Sequence, residues 1–294
     1  MLDTEIPDTE MPDAQTFDAV VIGGGPAGLQ AALTLGRMHR EVLLLDSGEY
    51  RNDPVEHAHN FITLDGVAPG EIRARALRDV AAYGTVQRRA QRADAVDRDG
   101  TGFVVTSCGA TIRTRAVVLA TGVRDILPDV PGLAELWGVE AATCPFCHGH
   151  ELAGKRVALL GAGDHAAVLC AMLDPVAAET VQLEVDEVER VERFDGGVRL
   201  VRHEGEPVET AGIFVRTDIE QSAPFAEQLG LDLLPTGCIA VDQLGRTSVP
   251  GVYAAGDLAS RAEFPMPMAS ILVAASAGLV AAATCVRELA VSTL

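Results

Sequence analysis

Cys144 and Cys147, in the run CPFCHGHE, are the residues of this chain best suited to do chemistry. A CxxC pair can cycle between dithiol and disulfide, and the species that attacks is the thiolate. At a helix start the dipole of the following turn acidifies one of the two thiols. Pro145 and Phe146 carry no polar side chain and are expected to keep the turn stiff and partly dry. His148 follows at once. An imidazole with an ordinary pKa of about 6.5 can take a thiol proton and return it near neutral pH. Its alternative role is a cap on the next turn. His150 is a second candidate base, and His57 and His59 are candidates for lining a substrate pocket. Cys144, Cys147, His148 and His150 could supply four zinc ligands, but their span is too short to wrap a tetrahedron, so no metal is expected. Cys108, Cys170, Cys238 and Cys285 read as small buried apolar residues, and His165 as packed or facing solvent.

A dithiol needs elements to hold it and an acceptor for its electrons. The strand-like run FDAVVIG leads into GGGPAG, then an Ala/Leu-rich helix, then EVLLLD ending at Asp46. This is the strand–glycine loop–helix–strand grammar of a dinucleotide site. Gly23 permits the tight turn, Gly25 lets a pyrophosphate approach the backbone, and Gly28 lets the helix pack on the strand. Pro26 and Ala27 open the helix, whose free N–H groups favour an anion. Asp46 is placed to accept hydrogen bonds from a ribose. Residues 102–107 and 116–120 read as further strands, the second running into Ala120, Thr121 and Gly122. RVALLGAGDHAAVLCAML, from Arg156 to Leu173, repeats the grammar with Gly161, Gly163 and Ala166. Two such units in tandem are a repeat few architectures share. VYAAGD presents Gly256 and Asp257 at a strand end, and Asp257 could reach a ribityl or ribose hydroxyl or simply cap a turn.

The 294 residues carry a formal net charge of −19, with 48% apolar and 22% charged side chains. The acidity argues against nucleic acid and anionic membranes as partners. Residues 1–16 are acidic and contain prolines without an apolar core, so they read as a disordered tail and not a signal peptide, and a cytoplasmic location is expected. The charge-free run 264–286 could mimic a membrane span, but its Ala, Ser and Gly content favours a buried helix.

In the order GGGPAG, ATG, CPFCHG, GAGDHA, VYAAGD, the chain resembles the low-molecular-weight thioredoxin-reductase-like flavoproteins from residue 17 onward. CPFCHGHE is most similar to the dithiol oxidases that close the disulfides of gliotoxin-like and holomycin-like natural products. The resemblance implies an α/β fold of two Rossmann-like (three-layer ββα) dinucleotide-binding domains, the second shortened. It implies a discontinuous FAD-binding domain at 17–122 and 245–294, and an NAD(P)-binding-like domain at 123–244 carrying the CxxC. It also implies a homodimer. FAD would be held by Gly23, Gly25, Pro26, Ala27, Gly28 and Asp46, by Ala120, Thr121 and Gly122, and by Gly256 and Asp257. Asn60 would touch the flavin, and Ser270 and Ile271 would face its N1/O2 edge. Cys147 would stand on the flavin side and Cys144 would exchange with substrate.

The pyridine-nucleotide site departs from the family pattern. NADPH-binding members carry a basic cluster after the second strand of the second unit, where this chain has ETVQLEVDEVERVERF. Carboxylates there repel a 2′-phosphate, so use of NAD(P)H is doubtful. Three readings follow. The first is a dithiol oxidase acting on a small-molecule or peptide dithiol, with O2 as acceptor and hydrogen peroxide as product. The second is an NAD(P)H-dependent thioredoxin or disulfide reductase. The third is a non-catalytic flavin module.

Overall fold

The computed structural model describes residues 16–161, 163–264 and 268–292. The expected tail therefore lies outside the described residues, except Thr16, which already belongs to the first strand. β1 (Thr16–Ile22) leads through the glycine loop into α1 (Pro26–Arg37) and β2 (Val42–Leu45). α2 (Pro69–Ala81) and β3 (Val86–Arg89) follow, then β4 (Ala95–Asp99), β5 (Gly102–Ser107) and β6 (Ala110–Leu119). Proline at the first turn and a run of strong helix formers start α1 where its N–H groups have no intrahelical partners anyway. The strands order as β3-β2-β1-β6-β5-β4. β6 changes character along its length, alternating in burial where it pairs β5 and continuously buried over residues 116–119, where it pairs β1. That is the pattern of a strand passing from a one-sided antiparallel meander into a parallel sheet covered on both faces.

Side chains of this sheet sort by the two-residue period. Val20, Ile22, Leu43, Leu45, Val117 and Leu119 face the meander residues Phe103, Val105 and Ile112. Ala19, Val21, Val42, Leu44, Ala116 and Val118 face the helices. The result is three layers, meander, parallel sheet and helix.

The chain leaves this unit through β7 (Val123–Ile126) and passes α3 (Leu133–Leu136), β8 (Ala141–Ala142) and α4 (Pro145–His148). β9 (Arg156–Leu160), α5 (Gly163–Leu173) and β10 (Glu179–Leu183) form the second strand–loop–helix–strand unit. A meander of β11 (Val188–Phe194), β12 (Gly197–Arg202) and β13 (Val208–Thr210) precedes β14 (Ile213–Val215). The parallel order is β10-β9-β14-β8. Between β10 and β11 stands only the single turn Val185–Glu187, so among the described residues no further helix or parallel strand extends the sheet beyond β10. This is the shortened second unit.

The chain returns through β15 (Asp218–Gln221), which pairs antiparallel with β7, so the outward and return crossings run side by side. α6 (Phe225–Leu229), β16 (Ile239–Ala240), β17 (Val252–Ala254), β18 (Ala259–Ser260) and α7 (Ile271–Val291) complete the chain. β17 adds to the first sheet beside β6. The expected return at residue 245 is too late, because Phe225, Ala226, Leu229, Leu231 and Ile239 all pack into the first core. Gly245 is a visible break, whereas the physical crossing is the four-residue strand β15. α7 is the one helix among the described residues long and apolar enough to cross a membrane. It is buried on one face only. Ala274, Ala281 and Cys285 pack with α1, and Leu272, Val273 and Leu279 stay exposed.

Candidate active site

The first glycine loop is shaped as a cradle. A Cβ on Gly23, whose φ is +116°, would stand 2.2 Å from the Ala120 carbonyl oxygen, and one on Gly28 would stand 1.8 Å from the Gly23 oxygen. These contacts draw β1, α1 and the Ala120–Gly122 turn together. A Cβ on Gly25 would meet nothing within 4 Å, so the loop is open on the side where a phosphate would lie. The α1 N-terminus has no side-chain cap and no acidic residue in its first turn, which leaves N–H donors for an anion. The α7 N-terminus, Ser270 and Ile271, is uncapped in the same way. Gly256 lies against Ala27, which brings the VYAAGD strand end to the same loop.

Asp46 is 1% exposed at the end of β2. Burial works against its charge. Hydrogen bonds from Arg88 (2.7 Å), Tyr50 (2.8 Å) and the Gly48 N–H (3.1 Å) outweigh burial and hold the carboxyl below its ordinary range. A ribose would join partners already in place.

Cys144 is the residue before α4, and the two sulfurs are 2.6 Å apart in half-buried positions. The hydrogen bond from Cys147 lowers the Cys144 thiol to about 7, against a burial cost, with help from the Cys147 and Phe146 N–H groups and the Arg51 charge. Cys147 moves the opposite way, because it gives up its proton last and is partly buried. These directions make Cys144 the more readily ionised thiol of the pair. Its alkylation rate is expected to be half-maximal near pH 7. In Cys147→Ala that midpoint should rise toward the ordinary thiol range of about 8.5, read by mass spectrometry of the Cys144 peptide across pH. Phe146 corrects the expectation of a dry turn, since it is 69% exposed and offers an apolar ring to whatever approaches the dithiol.

His148 closes α4. Both its ring nitrogens are buried without a hydrogen-bond partner among the described residues. Burial pushes the imidazole below its ordinary pKa, with Glu151 opposing and His59 reinforcing the shift. The shift favours the neutral ring, the form that can accept a proton, although the Gly138 and Cys144 backbones beside it oppose the shift. His59 lies between Asp65 at 3.7 Å and Glu151 at 3.6 Å, and so ties the segment after β2 to the residues after the CxxC. His57 bonds the Gly66 carbonyl through Nδ1 at 3.1 Å, and its ring centroid is 6.4 Å from that of His59. Asn60 takes a left-handed backbone with its N–H on Asp65. His150 is exposed, and the His165 side chain lies outside the described residues. Cys238 and Cys285 are buried as expected and Cys170 is half-buried, but Cys108 is exposed, because it occupies the β5–β6 turn at φ +49°.

Two dinucleotide-type units and a CxxC before the second one narrow the choice of family, and sequence comparison decides it. The profile of the pyridine nucleotide-disulphide oxidoreductases matches residues 17–194 and 181–278. The chain belongs to that family. This oxidoreductase is 32% identical over 304 residues to thioredoxin reductase sirT of Leptosphaeria maculans, spanning 90% of this chain and 91% of sirT. It is 30% identical to thioredoxin reductase tcpT of Claviceps purpurea, over 82% of this chain and 86% of tcpT. Among solved structures it is similar to HlmI, with a TM-score of 0.82 and 32% identity over 95% of each chain. The family is FAD-dependent, and the open first glycine loop with its two uncapped helix starts suits FAD.

The second glycine loop of this oxidoreductase is surrounded differently. Gly161 borders an open groove of about 540 Å³ lined by Asp129, Glu184, Val185, Asp186, Val188 and His203. No Arg or Lys lines it among the described residues. Glu184 and Glu187 cap one another's backbone, Arg202 is paired with Glu187, and Arg190 with Glu189. The donor set does not suit a nucleotide 2′-phosphate.

Arg51 is a site residue that motif reading misses. It donates to Asp125 through Nε and Nη2, both at 2.7 Å, and to Asp257 through Nη1 at 2.9 Å. Asp257, expected to meet a ribityl hydroxyl, therefore already holds one cation. The only sequence signal for Arg51 is an arginine a few residues beyond the acidic end of β2.

Proposed function

We propose that this oxidoreductase is a dithiol oxidase. A small-molecule or peptide dithiol attacks the Cys144–Cys147 disulfide at Cys144. Its second thiol then displaces the enzyme sulfur, and product disulfide leaves an enzyme dithiol. Each turnover moves two electrons and two protons from substrate to enzyme. His148, whose burial favours the neutral form, takes the proton as each thiolate forms. FAD, when bound, would supply a two-electron acceptor for the enzyme dithiol, with O2 as the final oxidant and hydrogen peroxide as its product. Gly23, Gly25, Gly28 and Asp46 would hold its ADP half, and Asp257, Asn60, Ser270 and Ile271 would meet its ribityl and flavin parts. The working unit is a homodimer.

The observation that carries this reading is the acidic groove beside the second glycine loop, which favours an electron donor other than NADPH. The likeness to HlmI and sirT supports a natural-product dithiol as substrate. A second reading, a disulfide reductase fed by NADH, is favoured by Gly161 and Gly163, which keep the left-handed backbone of a nucleotide loop.

Stopped-flow mixing of the FAD-loaded protein with dithiothreitol, NADH and NADPH separates the two readings. Dithiothreitol is expected to bleach the flavin at least about tenfold faster than either nucleotide, with oxygen uptake matching disulfide formed. Stoichiometric bleaching by NADH or NADPH at comparable rates, without oxygen uptake, would sink the oxidase reading.

A further inference from the structure

Arg51 touches two parts of the chain that sequence separates widely, and one of these partners holds a third. Its fork grips Asp125 on β7, one of the two strands that carry the chain between the sheets. Thr217, next to the return strand β15, donates its hydroxyl to the same Asp125 at 2.9 Å. The third guanidinium nitrogen reaches Asp257 in the first unit. Asp125 is only 6% exposed and Arg51 24%, so the pair is shielded from the screening that makes surface ion pairs weak. A bidentate guanidinium–carboxylate pair fixes direction as well as distance, which a lysine could not do.

The same charge is felt by the dithiol. Arg51 favours the thiolate at both Cys144 and Cys147, while Asp257 opposes it at Cys147. The CxxC is therefore within electrostatic reach of the Arg51–Asp257 pair. His59 with Glu151, and Gly138 against Pro54, add contacts between the same two regions.

We infer that Arg51 is a positioning residue that locks the two crossing strands to Asp257 and so holds the dithiol sheet with its sulfurs turned toward the first unit. No motif marks this role, and it belongs to a residue outside both glycine loops. The inference deepens the proposed function in needing a redox-active dithiol, but it holds whether the final acceptor is oxygen or not.

The test uses the full-length FAD-loaded protein in three variants, Arg51→Met, Arg51→Lys and Asp125→Asn. The first readout is the pH profile of Cys144 alkylation by iodoacetamide. Arg51→Met should move its midpoint up by about half a pH unit, slowing alkylation at pH 7 roughly twofold, and Arg51→Lys should restore the midpoint. The second readout is the distribution of distances between non-thiol spin labels at Arg78 on α2 and Val168 on α5. It should broaden in all three variants, because Lys keeps the charge but loses the fork. Asp125→Asn preserves shape and keeps the test open if Arg51→Met does not fold. An unmoved alkylation midpoint in Arg51→Met, or wild-type distance distributions in the variants that fold, overturns the inference. Neither readout depends on oxygen, so failure here is distinct from failure of the oxidase reading.

Discussion

Cys147→Ala protein is expected to keep its FAD and lose dithiol oxidation by at least about a thousandfold, since the thiol that closes the enzyme disulfide is gone. Cys144→Ala should lose as much, but the two proteins should differ toward an aromatic disulfide such as dithionitrobenzoate. In a reduced wild-type enzyme the Cys144 thiolate attacks the reagent and releases one nitrothiolate. Cys147 then resolves the mixed disulfide and releases a second. Cys147→Ala should stop after the first and retain the mixed disulfide on Cys144, a mass shift that persists until a thiol is added. Cys144→Ala should react slowly, because burial, only partly offset by the Arg51 charge, disfavours the Cys147 thiolate. The comparison is made in a Cys108→Ser background, since Cys108 is the exposed thiol. Equal stoichiometry and rate in the two variants would reverse the assignment of the attacking sulfur.

The second large effect is expected at the first glycine loop, where fold and binding can be separated. Gly28→Ala puts a methyl group 1.8 Å from the Gly23 carbonyl oxygen, so α1 must move off β1. Overpacking of this kind costs about 1–3 kcal/mol, and the displaced loop should bind FAD about a hundredfold more weakly. Gly25→Ala is the contrast, because its methyl meets no protein atom within 4 Å. That protein should melt within a few degrees of wild type and still lose FAD affinity, because only a bound pyrophosphate would collide with it. Calorimetry of the FAD-free proteins and fluorescence titration with FAD measure the two effects. Undiminished FAD affinity in Gly25→Ala would move the phosphates elsewhere.

Much of this architecture is legible in the sequence, because its signals are contiguous. GGGPAG followed by an Ala/Leu run and EVLLLD is local grammar, and so is CPFCHG before GAGDHA. The shortened second unit is legible as missing length between Leu183 and Ile213. What hides is whatever depends on residues far apart in the chain. Arg51 finds its partners 74 and 206 positions away, and nothing in RNDPVE announces either. The return crossing at β15 is four residues of unremarkable composition, so the glycine at 245 draws the eye instead. Phe146 reads as apolar and therefore buried, yet a short helix standing proud of the sheet leaves its ring in solvent. His148 is legible as a base by type, but its unpaired nitrogens are a product of packing.

The pairing of β7 with β15 brings the entry and exit of the dithiol unit to neighbouring positions, with Val123 opposite Gln221. A segment whose two ends meet in this way is topologically a graft on the flavin-side sheet, joined through a single paired stalk. Trimming β10's flank, or exchanging everything between Ile126 and Asp218 for a homologous cassette, leaves the hydrogen-bond register of β1, β6 and β17 untouched. Evolution could therefore retune what the sulfurs meet, and from where electrons arrive, without renegotiating the core beneath the first glycine loop.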